Sequence, residues 1–258
     1  MIIRKSEAEI EKMARAGDVV RGCLDLLADE ITPGVTTKEL DRLAEKYIRA
    51  EGGIPTFKGY RGFPASICTS PNSMVVHGIP GKTRLNEGDI VGVDVGVTLD
   101  GYIADAAMTY AVGDISELAQ RLMDVTQESL NRAITQCEVG HRVGDISHAV
   151  QTYVESHGFS VVRSMVGHGV GREMHEDPQV PNYGPPGQGP ELRDGMVLAI
   201  EPMVNAGGYD VEMGDDSWAI YTQDGSLSAH FEHTVAITRN GPRLLTVRRA
   251  KNTSGETT

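Results

Sequence analysis

The chain carries one pattern twice. Leu85-Asn86-Glu87-Gly88-Asp89-Ile90-Val91-Gly92-Val93-Asp94 runs from a turn into an apolar stretch that ends on a carboxylate. Leu192-Arg193-Asp194-Gly195-Met196-Val197-Leu198-Ala199-Ile200-Glu201 does the same about a hundred residues later. A His-Gly pair precedes each copy (His77-Gly78, His168-Gly169), and a second acid follows each on a later apolar segment (Asp105, Glu232). Helical patterns repeat as well. Ser6 with Glu9 and Thr36 with Glu39 form capping boxes that open helices reaching about Asp29 and Gly52. Residues from Asp114 to about Gln136 are helical in pattern, and Asp145 is expected to cap a helix ending at Gly158. Helices followed by strands, twice over, predict an α/β (α+β) fold of two related halves that each deliver acids to a shared site.

Length and charge narrow the possibilities. A chain of 258 residues, 40% of them apolar, buries a substantial core as one domain, expected over residues 1–250 with a flexible tail at 251–258. A formal charge of -12 with no Lys/Arg cluster repels phosphate, which argues against nucleic acid and acidic membrane surfaces as partners. Cys23, Cys68 and Cys137 are odd in number and form no CxxC pair, as expected of reduced thiols in the cytoplasm. The start runs directly into a charged amphipathic helix, and no run of 18 apolar residues occurs, so neither a targeting segment nor a membrane anchor is expected.

Strand periodicity locates the chemistry. From Val91 to Val97 the odd positions are valine and the even ones are Gly92, Asp94 and Gly96, so one face packs on a core while the other is cleared around a carboxylate. Asp100-Gly101 is a two-residue hairpin turn, and pairing through it sets Gly96 opposite Asp105 and Asp94 opposite Ala107. Both acids then share the cleared face, with β-carbons roughly 5 to 8 Å apart. Two bare aspartates there would repel, and cations remove that cost.

In the second half, His168 sits between glycines and seven residues before His175, a spacing suited to two loop or strand positions facing one cleft. Glu201-Pro202 ends its strand, because proline cannot donate to the ladder. His141, His148, His157 and His230 are read as ordinary satisfied polar residues. Four carboxylates and at least two histidines from related halves suit a pair of divalent cations, hence metal-assisted hydrolysis.

Val76-His77-Gly78-Ile79-Pro80, the Asp94 and Asp105 pair, Gly167-His168-Gly169-Val170-Gly171, Ile200-Glu201-Pro202 and Phe231-Glu232-His233-Thr234 resemble, in order and over nearly the whole chain, the type I methionine aminopeptidases. The resemblance implies the pita-bread fold, in which two pseudo-two-fold-related halves of helix, helix and strand surround a dimetal site. It implies that Asp94 holds one ion, that His168 and Glu201 hold the other, and that Asp105 and Glu232 contact both. His77 and His175 would touch substrate, and Glu201 would also shuttle a proton. The resemblance points to Phe57, Tyr60, Phe63, Cys68, Trp218 and Met174 as the side-chain pocket. Met174 stands where the family carries an aromatic residue, which loosens the pocket.

The implied activity removes the first methionine from peptides and nascent proteins with a small second residue. Peptide N-termini would be its partners, with transient ribosome proximity and a monomeric state. The metal could be Co, Mn, Fe or Zn. Only 30 residues separate Glu201 from Glu232, too few for the helical insertion of the type II enzymes, and a zinc-finger extension before residue 1 is not expected. Two alternatives carry different expectations. A proline-directed pita-bread peptidase usually brings a large N-terminal domain, and a non-catalytic pita-bread binding protein has no need of all five ligands and both histidines.

Overall fold

The computed structural model describes residues 1–248, so the tail at 251–258 lies outside the described residues. Helix α1 (Glu7–Glu30) opens as its sequence requires: the Ser6 hydroxyl accepts the Glu9 N–H, and the Glu9 carboxylate accepts the Ser6 N–H at 2.9 Å. Helix α2 (Thr37–Ala50) repeats the capping box with Thr36 and Glu39 and gives way at Gly52, whose φ of 77° favours glycine. Helix α3 (Glu117–Thr135) starts later than Asp114, because the Ser116 hydroxyl takes the Ala119 N–H. Helix α4 (Val143–Ser156) begins at Val143, ahead of Asp145. Asp145 caps from inside the helix, its carboxylate accepting the Arg142 N–H at 2.7 Å.

In the first half, strands Ile90–Leu99 and Tyr102–Ala111 pair antiparallel through Asp100-Gly101, where both residues have positive φ (52° and 76°). The register is the one the turn dictates, with Gly96 opposite Asp105 and Asp94 opposite Ala107. Strand Cys68–Pro71 covers the other edge and sets Cys68 opposite Asp94. The second half is built around a five-stranded sheet in the order Gly241–Leu244, His233–Thr238, Val197–Ile200, Gly167–Gly169, Glu176–Val180, with a smaller sheet of Ser228–His230, Met203–Asn205 and Ser160–Val161 beside it. His168 therefore lies within a short strand, whereas the apolar run before it is extended only at Ser160–Val161. Gly167 and Gly169 permit this strand: a β-carbon at Gly167 would lie 2.4 Å from the Ala199 carbonyl oxygen, and one at Gly169 would lie 2.2 Å from that of Asp177.

Each half has its own core. Val91, Val93, Val95 and Val97 are fully buried against Leu24, Leu27 and Ile48 of α1 and α2. Leu198, Ile200 and Val235 pack with Leu122 of α3 and Ile146 and Val150 of α4. Each such aliphatic contributes roughly 1.5 to 3 kcal/mol on burial, so the apolar faces fix which way the intervening acids point. The halves meet along the acids. Glu232 N–H donates to the Ala107 carbonyl at 2.8 Å, Asp105 N–H donates to the Thr234 hydroxyl at 2.9 Å, and that hydroxyl donates to the Asp105 carbonyl at 2.7 Å. Glu232 and Asp105, from opposite halves, are thereby held side by side.

Candidate active site

A cavity of about 230 Å³ opens at this junction, and every site residue expected from the sequence lines it. Its floor is carboxylate. Asp105 is 2% exposed and Glu232 is 1% exposed, and with His168 they bring three ligand-type atoms within 4.8 Å of one another. Glu201, at the end of its strand, places Oε1 3.5 Å from His168 Nε2. Burial, and then mutual repulsion, raise Asp105, Glu201 and Glu232 well above the usual carboxylate range. Burial also raises Asp94, against the opposing effect of its hydrogen bond with Asp105. A floor built this way disfavours four negative charges on its own.

The donor set fits divalent cations. Among the described residues, Asp94 Oδ1, Asp105 Oδ1 and Glu232 Oε1 are buried without any hydrogen-bond partner. Orphaned buried oxygens are costly unless something positive meets them. His168 carries the same message. Its Nδ1 lies 2.9 Å from the Gly169 carbonyl, which only accepts, so Nδ1 holds the proton and Nε2 offers a lone pair. That lone pair lies 3.5 Å from the Glu201 Oε1, an arrangement relieved only by a proton or a cation between them. Burial lowers the His168 pKa to about 4, keeping the imidazole neutral and able to ligate.

The chain matches metallopeptidase family M24 over residues 11–239. It is 57% identical to a methionine aminopeptidase of Clostridium acetobutylicum, over 96% of this chain and 99% of that relative. The chain belongs to the M24 metallopeptidases, among the methionine aminopeptidases. The crystal structure of a Thermotoga maritima methionine aminopeptidase superposes with a TM-score of 0.95 at 49% identity, covering 96% of this chain and all of that one. A prolidase from Pyrococcus horikoshii shares the fold, with a TM-score of 0.76 at 24% identity. The family uses divalent metal, as the acid floor anticipates. The pita-bread architecture and the resemblance read from the sequence are both borne out.

Above the floor the family member's cavity becomes apolar and aromatic. Phe63 stands edge-on to Trp218 with ring centroids 5.1 Å apart, and Phe57 stands edge-on to Phe63 at 6.5 Å. Met174 and Cys68 close the wall, each buried. The cleared face predicted along the Asp94 strand is only partly open: a β-carbon on Gly96 would lie 2.7 Å from the Phe57 ring, so the pocket's own aromatic fills that space. His175 sits at the mouth, its Nδ1 2.8 Å from the Tyr60 hydroxyl and its ring 4.3 Å from that of His168. His77 has φ 62°, and burial followed by the proximity of His175 lowers its pKa to about 4.

Three residues at or beside the cavity are not among the site residues expected from the sequence. Arg61 and Met165 line the cavity, and no sequence pattern marks either. His230 was expected to be a satisfied polar residue, and the structure corrects this. It is 4% exposed, its Nε2 has no hydrogen-bond partner among the described residues, and that atom lies 3.7 Å from Glu201 Oε2. The signal was present, since residues two apart on an extended segment share a face and Glu232 is two positions on. His141, His148 and His157 stand away from the cavity with local hydrogen bonds.

Proposed function

We propose that the chain removes the N-terminal methionine from peptides and nascent proteins whose second residue is small, using two divalent ions. One observation carries the reading: buried, unpartnered carboxylate oxygens from both halves form the floor of a cavity whose upper wall is aromatic and sulfur-bearing. In this reading Asp94, Asp105, His168, Glu201 and Glu232 would hold the two ions, Asp94 toward one, His168 and Glu201 toward the other, and Asp105 and Glu232 between them. When bound, such a pair supplies Lewis acidity, lowering the pKa of a shared water and polarising the scissile carbonyl. The oxygen-rich donor set suits Mn, Fe, Co or Zn.

The chain's own groups do the rest. Phe57, Phe63, Met174, Cys68 and Trp218 take up an unbranched thioether, a polarizable apolar group suited to aromatic and sulfur neighbours. Glu201 accepts the proton released by water and returns it to the departing amine. With the Tyr60 hydroxyl donating to His175 Nδ1, the proton of His175 resides on Nε2 and points at the developing oxyanion. His77 stays neutral above about pH 4 and donates near the scissile nitrogen. A free α-amine is required because the closed floor admits no chain before the first residue.

Three unpaired cysteines support a cytoplasmic setting, where nascent chains emerge close to ribosomes, and no self-association is needed to complete the site. The prolidase likeness is one of fold, and this chain spans 65% of that chain's length.

Metal-reconstituted protein should release methionine from Met-Ala-Ser and leave Ala-Pro-Ala and Met-Pro dipeptide intact. Preferential cleavage of either proline substrate would transfer the chain to the proline-directed reading, and inactivity on all three with metal bound would make it a binding protein.

A further inference from the structure

Glu201 stands between two imidazoles of different character. On one side, the backbone fixes His168 so that its Nε2 presents a lone pair to Oε1 at 3.5 Å. On the other, His230 Nε2 points at Oε2 from 3.7 Å, buried and without any partner among the described residues. Among the described residues no backbone carbonyl takes the His230 ring, so its tautomer is free to follow the carboxylate. We propose that His230 is a positioning residue for Glu201, its Nε2–H holding Oε2 so that Oε1 is left to the cation and to the travelling proton. This rests on the ligand and proton-carrying roles given to Glu201 above.

The geometry around His230 supports that task. Its N–H donates to the Thr109 hydroxyl at 2.9 Å, and the same hydroxyl donates back to the His230 carbonyl at 2.8 Å. Its α-carbon pairs with Met203, two residues beyond Glu201. The backbone of residue 230 is thus clamped from two sides, by Thr109 and by Met203, which holds its ring beside Glu201. A separation of 3.7 Å is too long for a hydrogen bond, but it closes with a small carboxylate rotation, and hydrogen bonds in such sites tighten when the site fills. A metal-ligating carboxylate that is itself hydrogen-bonded is held in one orientation, and losing the outer donor typically weakens metal affinity by roughly 10- to 100-fold.

The test uses the full chain, stripped with chelator and titrated with Mn(II) by calorimetry, followed by kinetics on Met-Ala-Ser at saturating Mn(II). His230→Leu removes the donor at similar size, His230→Gln offers an amide N–H at similar reach, and His230→Asn offers one that falls a methylene short. His230→Leu and His230→Asn should bind as many ions as the parent, with the weaker ion roughly 10- to 100-fold weaker still and kcat reduced by a similar factor at unchanged KM. His230→Gln should restore both to within about threefold. Should the leucine variant fail to fold, the asparagine and glutamine pair decides. Parent-like behaviour in His230→Asn, or equal impairment of His230→Gln, would overturn the proposal. Loss of a whole equivalent of metal would make His230 a ligand instead. A His168→Ala control separates the two levels: if it retains every ion, the underlying metal assignment fails and the role of His230 falls with it.

Discussion

At the residue scale, Asp105 and Glu232 are joined by backbone and not by chance of packing, since the Thr234 hydroxyl bonds both the amide and the carbonyl of Asp105 while the Glu232 amide bonds Ala107. Backbones held this way keep the two carboxyls close, so their repulsion is relieved by taking up a proton or, without that, by a cation between them. His77 and His175 are proposed to act on substrate, not on metal. Alanine at either should lower kcat by roughly 10² to 10⁴ with metal content unchanged, as expected for the loss of a proton donor or an oxyanion group. Tyr60→Phe should lower kcat in the same direction by a smaller factor, because it frees the His175 tautomer without removing the ring. Metal analysis alongside steady-state kinetics checks all three, and loss of metal in His175→Ala would move that histidine to the ions. The acids were legible because each lies on or ends an apolar strand pattern, whereas the separate roles proposed for His77 and His175 come only with the family resemblance. Arg61 was not legible, since its place at the cavity depends on a loop conformation with φ 49° that its sequence does not announce.

At the element scale, the turn at residues 171–176 carries both Met174 and His175, and a buried ion pair holds it in place. Lys5 Nζ donates to Glu176 Oε2 at 2.6 Å, and Glu176 Oε1 accepts the Arg172 and Glu173 amides at 3.0 and 3.4 Å. The Lys5 and Glu176 side chains are only 4% and 6% exposed. Lys5→Met should therefore strand a buried carboxylate and destabilise the protein by about 3 to 5 kcal/mol. Glu176→Gln in the same chain should recover much of that, since an amide oxygen still accepts the backbone N–H groups without a buried charge. Urea unfolding of the single and double variants checks this, and additive losses would show that the pair is not coupled. The long helices and the central hairpin were readable from caps, from alternating valines and from Asp100-Gly101, all local signals. The Gly167–Gly169 strand was not, because its extension is imposed by neighbours on both sides rather than by its own residues. Phe57 filling the space over Gly96 is likewise a tertiary event that periodicity cannot carry.

At the scale of the whole molecule, two helix-backed sheets fix their own cores and share one floor of acids, which is why the internal repeat was the most informative part of the sequence. The same burial that shapes the floor makes stability depend on pH. Burial, and then Arg21, hold His233 at a pKa of about 4 in the folded state, against about 6.5 when unfolded. Between those values the unfolded chain binds the extra proton, so this group's contribution is intact above about pH 6.5 and is lost as pH falls toward 4. Tm of the metal-loaded parent should therefore fall relative to His233→Gln across that window, whereas a gap independent of pH would remove His233 from the balance. The central claim is that acids from both halves close on a single pair of ions. It is tested most directly by anomalous diffraction at the manganese edge from crystals of Mn(II)-loaded protein. Two peaks roughly 3.5 to 4 Å apart are expected, lying among Asp94, Asp105, His168, Glu201 and Glu232. No peak at this junction, or ions bound by one half alone, would contradict it.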